Sequence, residues 1–218
     1  MLDPGHTAAR PGALSVRGIP EVQYNDELVA MLAEGLKAAG FEVRTTRAPG
    51  EESDLGMRAA VADAQASWLF LSIHHDSAQL QFLSREQRDG KDVYRTLQPI
   101  RGYSLFVSGL NVRYPASLQS AQALGRRLRA LGRAPTLHHA EPIPGEGRPL
   151  LDPGLGIYRF DELGVLKQVA CPAVLLEVGV LVDETDEAYV SSPANREALV
   201  GAIVQALKDL PPTEAQGR

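Results

Sequence analysis

A strand-like segment, a helical segment and an apolar run follow one another in the first third of the chain, and this order constrains the fold most. The segment FEVRTTR (41–47) is predicted as a strand. A helix is predicted from about Asp54 to Gln65, with Ser53 or Asp54 as its cap. The apolar run WLFLSI (68–73) is predicted as a second, buried strand. This β-α-β order is typical of α/β domains.

The same alternation continues through the rest of the chain. Residues 21–39 carry apolar side chains at helical spacing and stop at Gly40, which predicts a helix. The Pro- and Gly-rich stretch 132–157 predicts a long surface loop. Further strands are predicted at YSLFVSG (103–109) and PAVLLEVGVL (172–181), and further helices at 117–131 and 193–209. We therefore expect one α/β domain without an internal repeat.

Composition limits the classes of function that need to be considered. The 218 residues are 44% hydrophobic, which is enough for one sizeable core. The net charge of -5 leaves no basic stripe for phosphates, so we expect no nucleic-acid partner. The sequence has no apolar run of about 18 residues, so no membrane-spanning helix is predicted. The single cysteine, Cys171, excludes an internal disulfide, so any metal would need histidine and carboxylate ligands.

Polar side chains follow three predicted strands, at the point where each strand ends. Loops at the carboxyl ends of parallel strands form the crevice in which α/β proteins place their chemistry. We therefore expect these side chains to meet at one edge of the sheet. They are Asp3 and His6 in DPGH, where a short strand predicted at the start of the chain ends; His74, His75 and Asp76 at the end of WLFLSI; and Glu177 near the end of AVLLEV.

Glu21 is a further candidate, because at about 100° per residue it falls on the apolar stripe of its helix. A carboxylate there is costly unless it is paired or bound to a cation. Pro20 suits a helix start and would place Glu21 beside the crevice. His6, Glu21 and His74 then form a two-histidine, one-carboxylate set that fits catalytic zinc, with a fourth position left for water or substrate. Glu177 would remain free to move a proton.

Five motifs occur in a recognisable order over nearly the whole chain: LDPGH, Glu21 followed by Asn25, TTR, SIHHDS and PAVLLEVG. Together they resemble the zinc-dependent N-acetylmuramoyl-L-alanine amidases of the cell-wall (Amidase_3) type. The resemblance implies one catalytic Zn²⁺ bound by His6, Glu21 and His74, with Glu177 as the catalytic acid/base. It implies a three-layer α/β/α fold with a mostly parallel, six-stranded sheet. It also implies cleavage of the amide between the lactyl group of muramic acid and L-alanine in peptidoglycan.

The resemblance carries further expectations about organisation and partners. We expect a catalytic domain at 1–210 and a disordered tail at 211–218. Peptidoglycan or a muropeptide is the implied substrate, an activator protein is a possible partner, and we expect a monomer. The implied location is the periplasm or cell wall, although no signal-peptide pattern opens the chain and we expect a mature or shortened fragment. Residues 79–101 are too short for the inserted helix that blocks zinc in some division amidases, so we expect an open site.

The sequence allows alternative roles for several of these residues. Asp3 and Asp76 would either orient a ligand imidazole or cap a turn. His75 should point away from His74 and either support a ligand or lie at the surface. His138 and His139 are adjacent in the loop, and adjacent residues rarely chelate one ion, so they are interpreted as loop residues. Glu177 could instead be a structural carboxylate paired with Arg47 or Arg58. Arg126, Arg127, Arg129 and Arg133 are interpreted as a solvated helix face.

Two other functions remain open at this stage. One is a different zinc amide hydrolase, such as a carboxypeptidase or deacetylase on a related sheet. The other is a non-catalytic cell-wall binding module that retains the zinc site. Metal content, turnover and the identity of the products would separate them.

Overall fold

A computed structural model describes residues 1–88 and 90–211. The strands are β1 (Leu2–Pro4), β2 (Phe70–Asp76), β3 (Leu83–Arg88), β4 (Lys91–Thr96), β5 (Ser104–Val107), β6 (Leu150–Asp152), β7 (Ile157–Arg159) and β8 (Ala173–Val180). The helices are α1 (Glu21–Ala38), α2 (Leu55–Ala64), α3 (Tyr114–Ala130), α4 (Gly164–Gln168), α5 (Glu184–Ser191) and α6 (Pro193–Lys208). The tail predicted at 211–218 lies outside the described residues apart from Pro211. Among the described residues, no helix combines the length and apolar character needed to span a bilayer.

Six strands form one sheet in the order β1-β2-β8-β5-β7-β6. The pairs β1/β2, β2/β8 and β5/β7 are parallel, whereas β5/β8 and β6/β7 are antiparallel. The remaining strands, β3 and β4, form a separate antiparallel pair. The prediction of an α/β fold with a mostly parallel, six-stranded sheet is confirmed.

Helices cover both faces of the sheet and make three layers. Helices α1, α3 and α6 pack on one face, where Leu71 and Ile73 of β2 join their core. Helices α2 and α4 cover the other face, where Phe70 joins a second core. Because strand side chains alternate, the even-numbered residues of β2 continue along the α2/α4 face towards the strand end. Each fully buried Leu or Ile contributes roughly 1.5–3 kcal/mol of burial energy, so the alternation fixes which side His74 faces.

Residues 41–47 do not form the predicted strand. Thr45 makes only an isolated parallel bridge to Leu2, although the Leu2 N–H donates to Arg44 O at 2.8 Å and the Thr46 N–H donates to Leu2 O at 3.0 Å. The neighbouring strand β1 is three residues long and offers no partner for a longer ladder. The segment is therefore an extended loop at the sheet edge.

Candidate active site

His6 lies in the loop directly after β1, in a backbone conformation that non-glycine residues rarely adopt. Its φ is 65°, within the left-handed region. Two buried arginines hold this turn: Arg47 Nε donates to His6 O at 2.9 Å, and Arg58 Nη2 donates to the same oxygen at 2.6 Å. These contacts stabilise the backbone of the turn from which the His6 side chain extends.

Asp3 is a structural carboxylate beneath that loop. Its Oδ1 atom accepts from Arg58 Nη1 at 2.8 Å and Thr46 Oγ1 at 2.6 Å, and its Oδ2 atom accepts from Ser72 Oγ at 2.6 Å. Arg47 pairs with Asp26 at 2.7 Å. Because Arg47 and Arg58 are engaged in these contacts, the alternative pairing of either with Glu177 is wrong.

Glu21 occupies the first position of α1 and lies between the two predicted histidine ligands. Glu21 Oε2 is 3.0 Å from His6 Nε2, and Glu21 Oε1 is 3.0 Å from His74 Nδ1. Burial alone would raise the pKa of Glu21, but hydrogen bonds with His6 and His74 hold it well below its ordinary value. Glu21 is therefore a carboxylate in the folded protein, with each oxygen facing a different imidazole.

Two glycines give this cluster its room. A Cβ atom on Gly5 would lie 2.4 Å from His74 Nε2, and a Cβ atom on Gly12 would lie 2.3 Å from Glu21 Oε2. Gly12 also has a φ of 77°, which favours glycine. A side chain at either position would therefore displace His74 or Glu21.

His75 points to the opposite face of β2 from His74, as strand alternation predicts. Its Nδ1 atom lies 2.8 Å from Asn25 Oδ1, so the N–H is assigned to His75. Asn25 Nδ2 in turn donates to Glu21 Oε1 at 3.1 Å. Burial lowers the pKa of His75 to about 3. His75 is thus a neutral, buried residue that positions Glu21 through Asn25, and the surface interpretation is wrong.

Glu177 lies on β8 directly opposite His74 of β2. The residue is partly exposed, but its Oε2 atom is buried and has no hydrogen-bond partner among the described residues. Burial, followed by the charges of Asp76 and Glu21, raises the pKa of Glu177 well above its ordinary value. A carboxyl in this state holds a proton more firmly than a surface glutamate does.

Two adjoining pockets open at this edge of the sheet. One, of about 190 Å³, is lined by His6 and His74, and the other, of about 260 Å³, by Glu177; Leu163 and Leu175 belong to both walls. The side chains of His6 and His74 are 30% and 19% exposed, so solvent reaches the cluster. No residue from the described part of segment 79–101 belongs to the cluster. The arrangement can hold a cation and a substrate group side by side.

The sequence-based interpretation missed a second group of polar side chains at the end of β2. His138 and His139 are buried, rather than exposed on a surface loop, and both lie against Asp76. Burial opposes protonation of His139, but Asp76 and Glu146 outweigh it and raise the pKa of His139 to about 9. The sequence signals for this group were Asp76 at the strand end and the His-His pair.

One of the four arginines assigned to a solvated helix face is also buried. Arg133 Nη1 donates to Asp186 Oδ1 at 2.6 Å, and Arg133 Nη2 donates to Val178 O at 3.0 Å. Arg133 follows the end of α3 and turns inward, whereas Arg127 stays on the exposed face and pairs with Asp209. The solvated-face interpretation is wrong for Arg133.

Comparisons with known proteins find a matching family model and similar proteins. Residues 1–209 match the family model Amidase_3, described as N-acetylmuramoyl-L-alanine amidase. N-acetylmuramoyl-L-alanine amidase AmiC of Neisseria meningitidis is 25% identical over 95% of this chain and 51% of its own length. The chain spans about half the length of the curated relatives it matches.

Solved structures share the fold, among them the following two. The N-acetylmuramyl-L-alanine amidase Ami1 of Mycobacterium smegmatis has a TM-score of 0.73 at 21% identity, covering 95% of this chain and 93% of that one. The CwlD amidase of Clostridioides difficile, solved in complex with the GerS lipoprotein, has a TM-score of 0.69 at 19% identity, covering 95% and 94%. At these identities the likeness extends to the fold alone.

Proposed function

Because this chain belongs to the Amidase_3 family of N-acetylmuramoyl-L-alanine amidases, we propose that it hydrolyses the amide between the lactyl group of N-acetylmuramic acid and L-alanine in peptidoglycan. The observation that carries the proposal is the convergence of His6, Glu21 and His74 at the edge of the sheet, with Glu177 on the adjoining strand. Family membership supplies the reaction, and this geometry supplies the groups that a hydrolase of this kind needs.

His6, Glu21 and His74 are proposed to hold one zinc ion. Their donor atoms all lie within 4.8 Å of one another, and two imidazoles with one carboxylate are the donor set of many catalytic zinc sites. The Oε2 atom of Glu177 is buried and has no hydrogen-bond partner among the described residues, and a cation nearby would favour the ionised form of this carboxyl. A zinc ion bound there would supply Lewis acidity towards water and the amide carbonyl.

Glu177 is proposed to move the proton. It accepts a proton from the water that attacks the carbonyl carbon, and it delivers this proton to the amide nitrogen as the C–N bond breaks. The raised pKa suits the second half of this task, because the carboxyl holds its proton until the leaving amine takes it. The pocket that Glu177 lines adjoins that of His6 and His74, so one amide can reach both.

The remaining expectations belong to the same proposal. Residues 1–210 are proposed as the catalytic domain, acting on muropeptides or peptidoglycan in the periplasm or cell wall. An activator protein is a possible partner, and the CwlD–GerS complex is a precedent within the shared fold. Pull-down with candidate activators would test that part separately from catalysis.

Chromatography and mass spectrometry of the products from purified peptidoglycan test the proposed reaction. We expect stem peptides with a free N-terminal L-alanine and glycan with intact lactyl carboxyl groups. A chelator should abolish their release, and added zinc should restore it. Shortened stem peptides would point to a carboxypeptidase, released acetate to a deacetylase, and zinc binding without any product to a binding module; each of these results contradicts the proposal.

A further inference from the structure

The second cluster of polar side chains, at the end of β2, has the composition of another metal site. Asp76, His138 and His139 each offer one donor atom, and these atoms lie within 4.8 Å of one another. We propose that Asp76, His138 and His139 bind a second divalent transition-metal ion, of which zinc is the test case. This site would be separate from the His6–Glu21–His74 cluster and does not depend on the proposed reaction.

Both imidazoles point the same nitrogen at the same carboxylate oxygen. His139 Nε2 is 2.8 Å from Asp76 Oδ2, and His138 Nε2 is 3.5 Å from it. The His138 side chain is only 3% exposed, and its Nε2 atom has no hydrogen-bond partner among the described residues. A buried ring nitrogen without a partner is costly, and a cation between these three atoms would satisfy it.

The other ring nitrogen of each imidazole, Nδ1, also contacts a neighbouring side chain. His138 Nδ1 lies 2.8 Å from Thr136 Oγ1, and His139 Nδ1 lies 2.9 Å from Glu146 Oε2. Metal-binding histidines usually engage their second nitrogen in this way, which fixes the ring and directs the free nitrogen at the ion. Thr136 and Glu146 therefore behave as positioning residues for the two rings.

The local backbone explains how adjacent residues can share one ion here. His138–Ala140 form a short 3-10 turn, in which the rings of His138 and His139 lie with centroids 3.9 Å apart. The tight turn brings both rings to one side, which an extended pair of residues would not allow. The argument from adjacency against a shared metal site therefore fails for this segment.

A purely structural ion pair accounts for part of this cluster but not for all of it. His139 could bridge Asp76 and Glu146 as an imidazolium without any metal. That arrangement leaves the buried His138 Nε2 without a hydrogen-bond partner among the described residues, with Asp76 Oδ2 at 3.5 Å. Two imidazole nitrogens and one carboxylate suit zinc and similar ions, whereas calcium and magnesium prefer oxygen ligands.

An ion at this position would lie on the wall of the pocket that Glu177 lines, because Asp76 and His139 also line that pocket. It would attach the loop that carries His138 and His139 to the end of β2. We expect its main effect to be on the shape of this pocket.

Zinc stoichiometry of the full chain tests the second site. Metal-free protein is dialysed against zinc alone and analysed for bound metal, for wild type and for the variants His74→Ala and His138→Ala. We expect two equivalents for wild type and one for each variant. The variants probe different sites, so loss of the second site and loss of the proposed catalytic site give different patterns.

A milder variant guards against misfolding of His138→Ala. Thr136→Val removes the hydroxyl behind His138 and should weaken the second equivalent by about 10- to 100-fold in calorimetry while leaving the first unchanged. Thr96→Val is the matched control, because its hydroxyl contacts Asp183 instead. The inference is overturned by a wild-type protein that binds one equivalent, lost in His74→Ala. A second equivalent that is unchanged in both His138→Ala and Thr136→Val also overturns it.

Discussion

Replacing Glu177 with glutamine tests its proposed role in proton transfer with little change to its contacts in the fold. The variant keeps nearly the same shape, and the Oε2 atom that it replaces has no hydrogen-bond partner among the described residues, so few contacts are lost. The loss of the proton acceptor should lower kcat by about 10²–10⁴-fold. This corresponds to roughly 3–5 kcal/mol of transition-state stabilisation. Zinc content should remain that of wild type, because Glu177 is not one of the three proposed ligands.

The same substitution should also change how the stability of the metal-free protein depends on pH. Since the pKa of Glu177 is raised in the folded state, the folded state binds more protons than the unfolded state above the ordinary carboxyl pKa. The stabilisation from this group is fully present below that pKa and is lost as the pH rises towards the folded-state pKa. The decline is about 1.4 kcal/mol per pH unit within this window, and Glu177→Gln lacks it.

Two measurements test this pair of expectations. Muropeptide hydrolysis, followed by chromatography, gives kcat, and urea unfolding at pH 5, 6 and 7 gives the free energy of unfolding. Glu197→Gln is the matched control, because Glu197 is exposed on α6. Full activity of Glu177→Gln would refute its role in proton transfer. A stability difference from wild type that does not change with pH would refute the account of its buried carboxyl.

Three further predictions use other parts of the site. Gly12→Ala should reduce zinc affinity at least tenfold in calorimetry, because the new Cβ atom would clash with Glu21 Oε2. Gly40 also has a positive φ but has open space around it, so Gly40→Ala should leave zinc affinity unchanged. Arg58→Met leaves a buried carboxylate unpaired and should lower the free energy of unfolding by about 3–5 kcal/mol in urea, so a loss below 1 kcal/mol would contradict the structural role of this ion pair. Because burial lowers the pKa of His75 to about 3, the contribution of neutral His75 to stability is present above the ordinary pKa of histidine and is lost as the pH falls below it. Thermal melts of the metal-free protein between pH 7 and 4 should show this decline. An equal decline in His75→Asn would contradict the prediction.

Periodicity predicted the long elements of the fold well. The helix at 21–39 and the strand within 172–181 appear as α1 and β8, because both carry long apolar patterns of one period. Several short elements were missed. Helix α4 has five residues and strand β7 has three, and neither is long enough to show a period. Their formation depends on packing against the sheet, which the sequence does not display.

Some residues of the candidate site could likewise be predicted from the sequence, and others could not. The strand ends predicted that His74 and Glu177 lie at one edge of the sheet, and the two residues are neighbours on β2 and β8. Glu21 was found because a carboxylate interrupted an apolar stripe. The position of His139 could not be predicted, because it depends on how a loop of Gly and Pro folds back onto Asp76. Loop conformations of this kind are set by tertiary contacts.

The most direct test of the account is an anomalous difference map from a crystal of the zinc-loaded protein, recorded at the zinc absorption edge. We predict a peak at about 2.0–2.2 Å from one nitrogen of His6, one nitrogen of His74 and a carboxylate oxygen of Glu21, with Glu177 beside it and not bonded to it. A zinc-loaded crystal with no peak within bonding distance of these three side chains would contradict the central claim.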